Sequence, residues 1–111
     1  MKVPQVSIVD SKHFFNQARD YAEEHNAHFL NQFENLDNAK MHEKTTAPEI
    51  YEEMDHSIDA FICSAGTGGT IAGISQYLKE KTKGKTKIIL ADPEGSGLYS
   101  KIKYGILFTK Q

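Results

Sequence analysis

The sequence has too little cysteine for a disulfide framework. Cys63 stands alone among 111 residues, so no internal bridge can form, which fits a reducing compartment. Long apolar runs are missing too: none approaches the roughly 20 residues that a membrane-spanning helix needs. The opening Met1-Lys2-Val3-Pro4 has neither the apolar stretch of a secretory signal nor the arginine-rich pattern of a transit peptide. There is no repeat, low-complexity tract or Pro/Gly/Ser linker, so residues 1–111 read as one continuous α/β domain. Net charge is small at −2, but it is unevenly spread, with 5 basic and 11 acidic residues in 1–55 against 8 basic and 4 acidic in 56–111. Much of the basic excess is Lys79, Lys81, Lys83, Lys85 and Lys87. A nucleic-acid patch is one reading of that run. A solvated helix end, where cations complement the macrodipole, is the better one, so no nucleic-acid partner is expected.

The hydrophobic 39% that is present is patterned. Val6 to Val9 suggests a strand or extended segment, and Asp10-Ser11 an N-cap for a helix burying Phe14, Phe15, Ala18 and Ala22. His28-Phe29-Leu30 is a short apolar stretch, followed by a polar loop, Asn31 to Asn35, and a weakly periodic segment to Lys44. Thr46-Ala47-Pro48-Glu49 starts a helix, with a capping hydroxyl, a proline just inside and an acid in the first turn, burying Ile50 with Tyr51 and Met54. Asp59–Cys63 reads as a strand covered on both faces. It runs into Gly66-Thr67-Gly68-Gly69-Thr70. A helix over 71–81 follows, with Ile71, Ile74 and Leu78 on one face, stopped by Lys83-Gly84-Lys85. Residues 87–91 form the next strand. Strand, glycine loop, helix and strand make a βαβ unit with a mainly parallel sheet.

The glycine loop is where chemistry is expected. First-turn N–H groups of a helix have no acceptor within it, and the dipole adds about half a positive charge there, so an anion belongs in front of it. Gly66, Gly68 and Gly69 clear side chains from its path, and Thr67 and Thr70 offer hydroxyls. A dinucleotide fingerprint from Gly66 and Gly68 would need glycine where Ile71 stands. A Walker loop from Gly68 reaches Gly73 but meets Ile74 in place of lysine. The bland alternative is a tight turn, glycine-rich for packing alone. His13, His25, His28, His42 and His56 show no zinc-like spacing, so no metal is expected and capping or surface roles suffice. Cys63 reads as a small core residue, and Ser64 lacks the context of a hydrolase elbow.

Taken together, Ser64-Ala65-Gly66-Thr67-Gly68-Gly69-Thr70-Ile71-Ala72-Gly73 resembles the phosphate-binding loop of the cysteine synthase and cystathionine β-synthase family of pyridoxal-phosphate enzymes. Asn31 to Asn35, His42, Thr45 to Ile50 and Asp92 to Ser96 look like further family blocks in the family's order. Gly97 to Gly105 resembles an extension in fungal cysteine synthase-like proteins. Ala72 and Ala47 depart mildly from the family's usual threonine and glycine.

The resemblance implies the fold-type II architecture, a three-layer α/β sandwich in which two domains clasp pyridoxal 5'-phosphate. It implies that Gly66, Thr67, Gly68, Gly69 and Thr70 hold the cofactor phosphate and that Gln32 lies near the substrate amino-acid carboxylate. The implied reaction is β-replacement on O-acetylserine or serine by sulfide or a thiol, in an enzyme that is a homodimer when intact. The family's Schiff-base lysine, in an N-terminal serine-x-lysine motif, and its C-terminal serine facing the pyridine nitrogen have no counterpart in 1–111. The expectation is therefore a partial enzyme, inactive as an isolated chain. A non-catalytic phosphate- or partner-binding domain and a truncated product without activity are the rivals.

Overall fold

A computed structural model describes residues 6–106, whose contacts gather into two compact units divided between Asn35 and Leu36. In the first unit, residues 8–13 form turns and bends, and no strand precedes them among the described residues. The Asp10 carboxylate accepts the Lys12 N–H at 2.8 Å, closing a local turn in place of the expected helix cap. The cap moves three residues on, to His13, whose Nδ1 accepts the Phe15 N–H at 3.2 Å and opens α1, Phe14–Glu24. Asn16 Nδ2 ties the turn to the helix by donating to the carbonyls of Ile8 and Asp10, both at 2.8 Å. Of the four residues expected inside, Ala22 is buried and Phe15 half-buried, packed edge-on to Phe29 at 5.2 Å. Phe14 and Ala18 are exposed.

The second unit holds α2 (Asp37–Lys44), α3 (Thr46–Glu53), β1 (Ala60–Cys63), α4 (Gly69–Lys81), β2 (Lys87–Leu90) and α5 (Gly97–Tyr104). The strands pair in parallel, with Phe61 opposite Ile88 and Cys63 opposite Leu90, as the βαβ reading requires. Helix α4 is the crossover. Its Ile74 and Leu78, with Ala47 of α3, are buried almost completely and form the core, and Ile50, Tyr51, Phe61 and Ile88 pack around them. Met54, also expected inside, is 53% exposed.

Both strands alternate in burial, which corrects the expectation of a strand covered on both faces. Ile62 and Ile89, partners in register, are 62% and 43% exposed on the same face. The continuous apolar run is thus a sheet with one face open. Helix α4 ends as its sequence suggests: Lys83 and Gly84 adopt positive φ, and the Gly84 N–H returns to the Lys79 carbonyl at 2.8 Å. Thr86, buried, then donates its hydroxyl proton to the Ile58 carbonyl at 2.8 Å and fixes the entry to β2 beside the approach to β1. Helix α5 is capped by Ser96, and its Lys103 Nζ donates to the Tyr99 hydroxyl at 2.6 Å; that bond holds the exposed Tyr99 phenol below its ordinary pKa.

Candidate functional site

The strand β1 delivers Ser64 and Ala65 to the loop, and Gly68, at φ 86° and ψ −5°, makes the turn into α4. That left-handed geometry costs glycine nothing and other residues about 1–2 kcal/mol. The first intrahelical bond runs from the Ala72 N–H to the Gly68 carbonyl at 2.9 Å. The N–H groups of Gly69, Thr70 and Ile71 precede it and have no acceptor within the helix. No acidic residue stands in the first turn of α4, so its partial positive charge is not neutralised locally.

The three loop glycines serve different purposes. A β-carbon on Gly66 or Gly68 would meet nothing within 4 Å, so both border open space. One on Gly69 would run into the Asn38 side chain of α2. Farther along α4, one on Gly73 would run into the Ala39 carbonyl and crowd Glu43 N and His42 Cβ. Helix α2 therefore lies close behind the loop because two glycines of α4 make room for it.

From that position α2 reaches both loop hydroxyls. Asn38 Nδ2 donates to Thr67 Oγ1 at 2.8 Å. One turn later His42 places Nε2 3.1 Å from Thr70 Oγ1 and Nδ1 3.0 Å from Thr46 Oγ1. The Thr46 hydroxyl, expected to cap α3, is engaged by His42; the N-cap position belongs to Thr45, which makes no side-chain cap. Reading His42 as a capping or surface residue missed this contact. The available signal was its place within the resemblance, between the Asn31 to Asn35 block and the threonines, four residues before Thr46.

Gln32 lies in the other unit, exposed in the turn after Asn31. Asn31 sits at φ 44°; its Nδ2 donates to Glu34 Oε2 at 2.8 Å, while its Oδ1 is buried without a partner. Gln32 also borders an open groove of about 870 Å³ lined by Phe14, Phe15, Tyr21, Phe29 and Phe33. Among the described residues no three His, Cys, Asp or Glu side chains converge as a metal site, and no helix is long and apolar enough to cross a membrane.

Comparison with known proteins decides the family. Residues 5–108 match the family described as pyridoxal-phosphate dependent enzyme. The chain belongs to that family. It is 45% identical to cysteine synthase 2 of Neurospora crassa over 117 residues, covering 97% of this chain and 26% of that protein. It is 47% identical to cysteine synthase 2 of Schizosaccharomyces pombe over 115 residues, covering 96% and 29% respectively. Among solved structures, a hydrogen sulfide-producing enzyme from Fusobacterium nucleatum superposes with a TM-score of 0.70 at 33% identity, over 86% of this chain and 31% of that one. The chain thus spans little more than a quarter of the curated relatives it matches. The α/β fold with its parallel sheet, the pyridoxal-phosphate family and the likeness to fungal cysteine synthases agree with the sequence reading.

Pyridoxal 5'-phosphate is the cofactor of this family, and the residues present suit its phosphate. The donor set is three helix N–H groups and two hydroxyls with no carboxylate in the first turn, and the open side of Gly66 and Gly68 is where a side chain would intrude.

Proposed function

We propose that this chain carries the cofactor-phosphate cradle of a cysteine synthase-like enzyme, formed by Gly66, Thr67, Gly68, Gly69 and Thr70. The observation that carries the reading is the start of α4, where first-turn N–H groups with no acceptor in the helix, a left-handed glycine that borders open space and two threonine hydroxyls lie within one loop. A tight turn made only for packing accounts for Gly69 and Gly73, which face α2, and for Gly68, whose left-handed φ the turn requires; it leaves Gly66 unexplained.

For the complete enzyme the reading is β-replacement on O-acetylserine or serine by sulfide or a thiol, by a homodimer of the cytoplasm or mitochondrion. Its support is family membership and the cysteine synthase names of the relatives. The cofactor supplies an electron sink for bond-making at the substrate's β-carbon. The chain's residues anchor its phosphate through fixed donors, which hold the ring in one place. Gln32, a neutral amide beside the unpartnered Asn31 Oδ1, is the residue assigned to the amino-acid carboxylate, by its position in the matched segment.

The cradle is tested by titrating the isotopically labelled chain with pyridoxal 5'-phosphate and, in parallel, with pyridoxal. The loop amides from Gly66 to Thr70 should move with the phosphate ester alone, and Gly68→Asp should abolish the response by adding a side chain and a negative charge. The pyridoxal arm accounts for Schiff bases on exposed lysines such as Lys79. Equal responses to both compounds, or an unchanged response in Gly68→Asp, would remove the assignment.

A further inference from the structure

Both cradle hydroxyls are held from behind. Thr67 Oγ1 accepts from Asn38 Nδ2, so its own proton remains available to a ligand in front. Thr70 is different, because its partner His42 either donates or accepts at Nε2 according to tautomer. With the proton on Nε2, the ring donates to Thr70 Oγ1, and the Thr70 O–H is left to point elsewhere. With the proton on Nδ1, the ring donates to Thr46 Oγ1, Nε2 takes the Thr70 proton, and Thr70 turns only lone pairs toward an incoming anion. A phosphate dianion accepts hydrogen bonds and donates none, so it selects between the two.

We propose that His42 is a positioning residue of the phosphate cradle: as the Nε2–H tautomer, with Nδ1 accepting from Thr46, it makes the Thr70 hydroxyl a donor toward the phosphate. The inference rests on the cradle reading above and assigns this role to a side chain outside the loop. Two features support it. Thr46 offers a hydroxyl, which can donate to Nδ1 at 3.0 Å, and that hydroxyl is not used to cap α3. The ring is also delivered rigidly, because Gly73 lets the α2 backbone and His42 Cβ lie directly against α4, one turn from Thr70. Without a ring behind it, a threonine hydroxyl is free to turn back onto a nearby carbonyl, where its proton is lost to the ligand.

The test uses the 111-residue chain, labelled with nitrogen-15 and titrated with inorganic phosphate at about pH 8, above the ordinary histidine range. The amides of Gly66 to Thr70 and the two ring nitrogens of His42 are followed together. Phosphate should move the loop amides saturably and increase the Nε2–H population. The amide nitrogen of His42→Gln falls near the Nε2 position, and that of His42→Asn near Nδ1. Glutamine should therefore bind phosphate within about twofold of the native chain, and asparagine about three- to tenfold more weakly, the worth of one hydrogen bond. Thermal unfolding of each variant separates binding from folding. Equal affinities for both variants and the native chain, equal losses that follow lowered melting temperatures, or an Nδ1–H ring in the phosphate-bound chain would each overturn the role of His42. The ring reading needs no variant, so it stands even if a substitution prevents folding. Loop amides that ignore phosphate in the native chain would instead remove the cradle, and this inference with it.

Discussion

A β-carbon at Gly73 would strike the Ala39 carbonyl of α2, whereas one at Gly66 would enter open space. Neither position has the left-handed φ that Gly68 has, so the difference between them is contact with α2 against open space rather than backbone freedom. Gly73→Ala should therefore cost about 1–3 kcal/mol, the usual penalty of overpacking, because backbone atoms yield less readily than a side-chain end. Gly66→Ala should change stability by less than about 1 kcal/mol. Paired denaturant titrations check this, and a Gly66→Ala chain that unfolds as early as Gly73→Ala would show that Gly66 serves the fold. The loop glycines were readable as a group from sequence, since strand, glycines and apolar helix follow one another. Their division of labour was not, because it depends on α2, whose residues lie about thirty positions earlier in the chain. His42 illustrates the same limit: its two partners, Thr46 and Thr70, lie 4 and 28 residues away, and only the first is local.

Among the elements, α4 is the one whose sequence pattern and tertiary role coincide. Ile74 and Leu78, four residues apart, fall on one face and are both almost completely buried. Leu78→Ala should cost about 2–5 kcal/mol, as deletion of a filled core side chain does. Ile62→Thr should cost no more than about 0.5 kcal/mol in this chain, as a surface substitution does, since Ile62 is 62% exposed. Comparable losses in melting experiments would mean that the open sheet face is covered in solution. The contrast also explains why the strands were read as buried on both faces. An apolar run records what the sequence is suited to bury, and Ile62 and Ile89 are suited to a covering layer that the described residues do not supply. Helix α2 failed in the opposite sense. Its composition is polar, with no buried residue, so it has little apolar periodicity to see, and it is held by the close approach to Gly69 and Gly73. The cap of α1 was misplaced because Asp10 and His13 are both competent acceptors, and the carboxylate closes its own turn with Lys12 first.

At the scale of the whole chain, the proposed cradle stands at the surface: Gly66 and Thr67 are exposed, and among the described residues the core of their unit is confined to a few side chains around Ile74 and Leu78. A phosphate bound there stays partly in water, where charge-assisted hydrogen bonds contribute about 1.5–3 kcal/mol each at best. Against three to five such bonds stand roughly 4–15 kcal/mol for lost translational and rotational freedom. The helix dipole adds up to about 2 kcal/mol when a site is partly buried, and less here, because an exposed terminus is screened by salt. The 111-residue chain on its own should accordingly bind pyridoxal 5'-phosphate with a dissociation constant around millimolar, near −4 kcal/mol. It should form no cysteine from O-acetylserine and sulfide above the rate of free cofactor, since a cradle this open does not exclude water from a reacting centre. Calorimetric titration beside that assay decides the matter. Micromolar, stoichiometric binding with turnover would require a second layer over the cradle and over the open face of Ile62 and Ile89, supplied by a second copy of the chain. Sedimentation of the cofactor-bound sample would then have to show that copy. A tight, active monomer would leave both the exposure of the loop and the energetic argument drawn from it untenable.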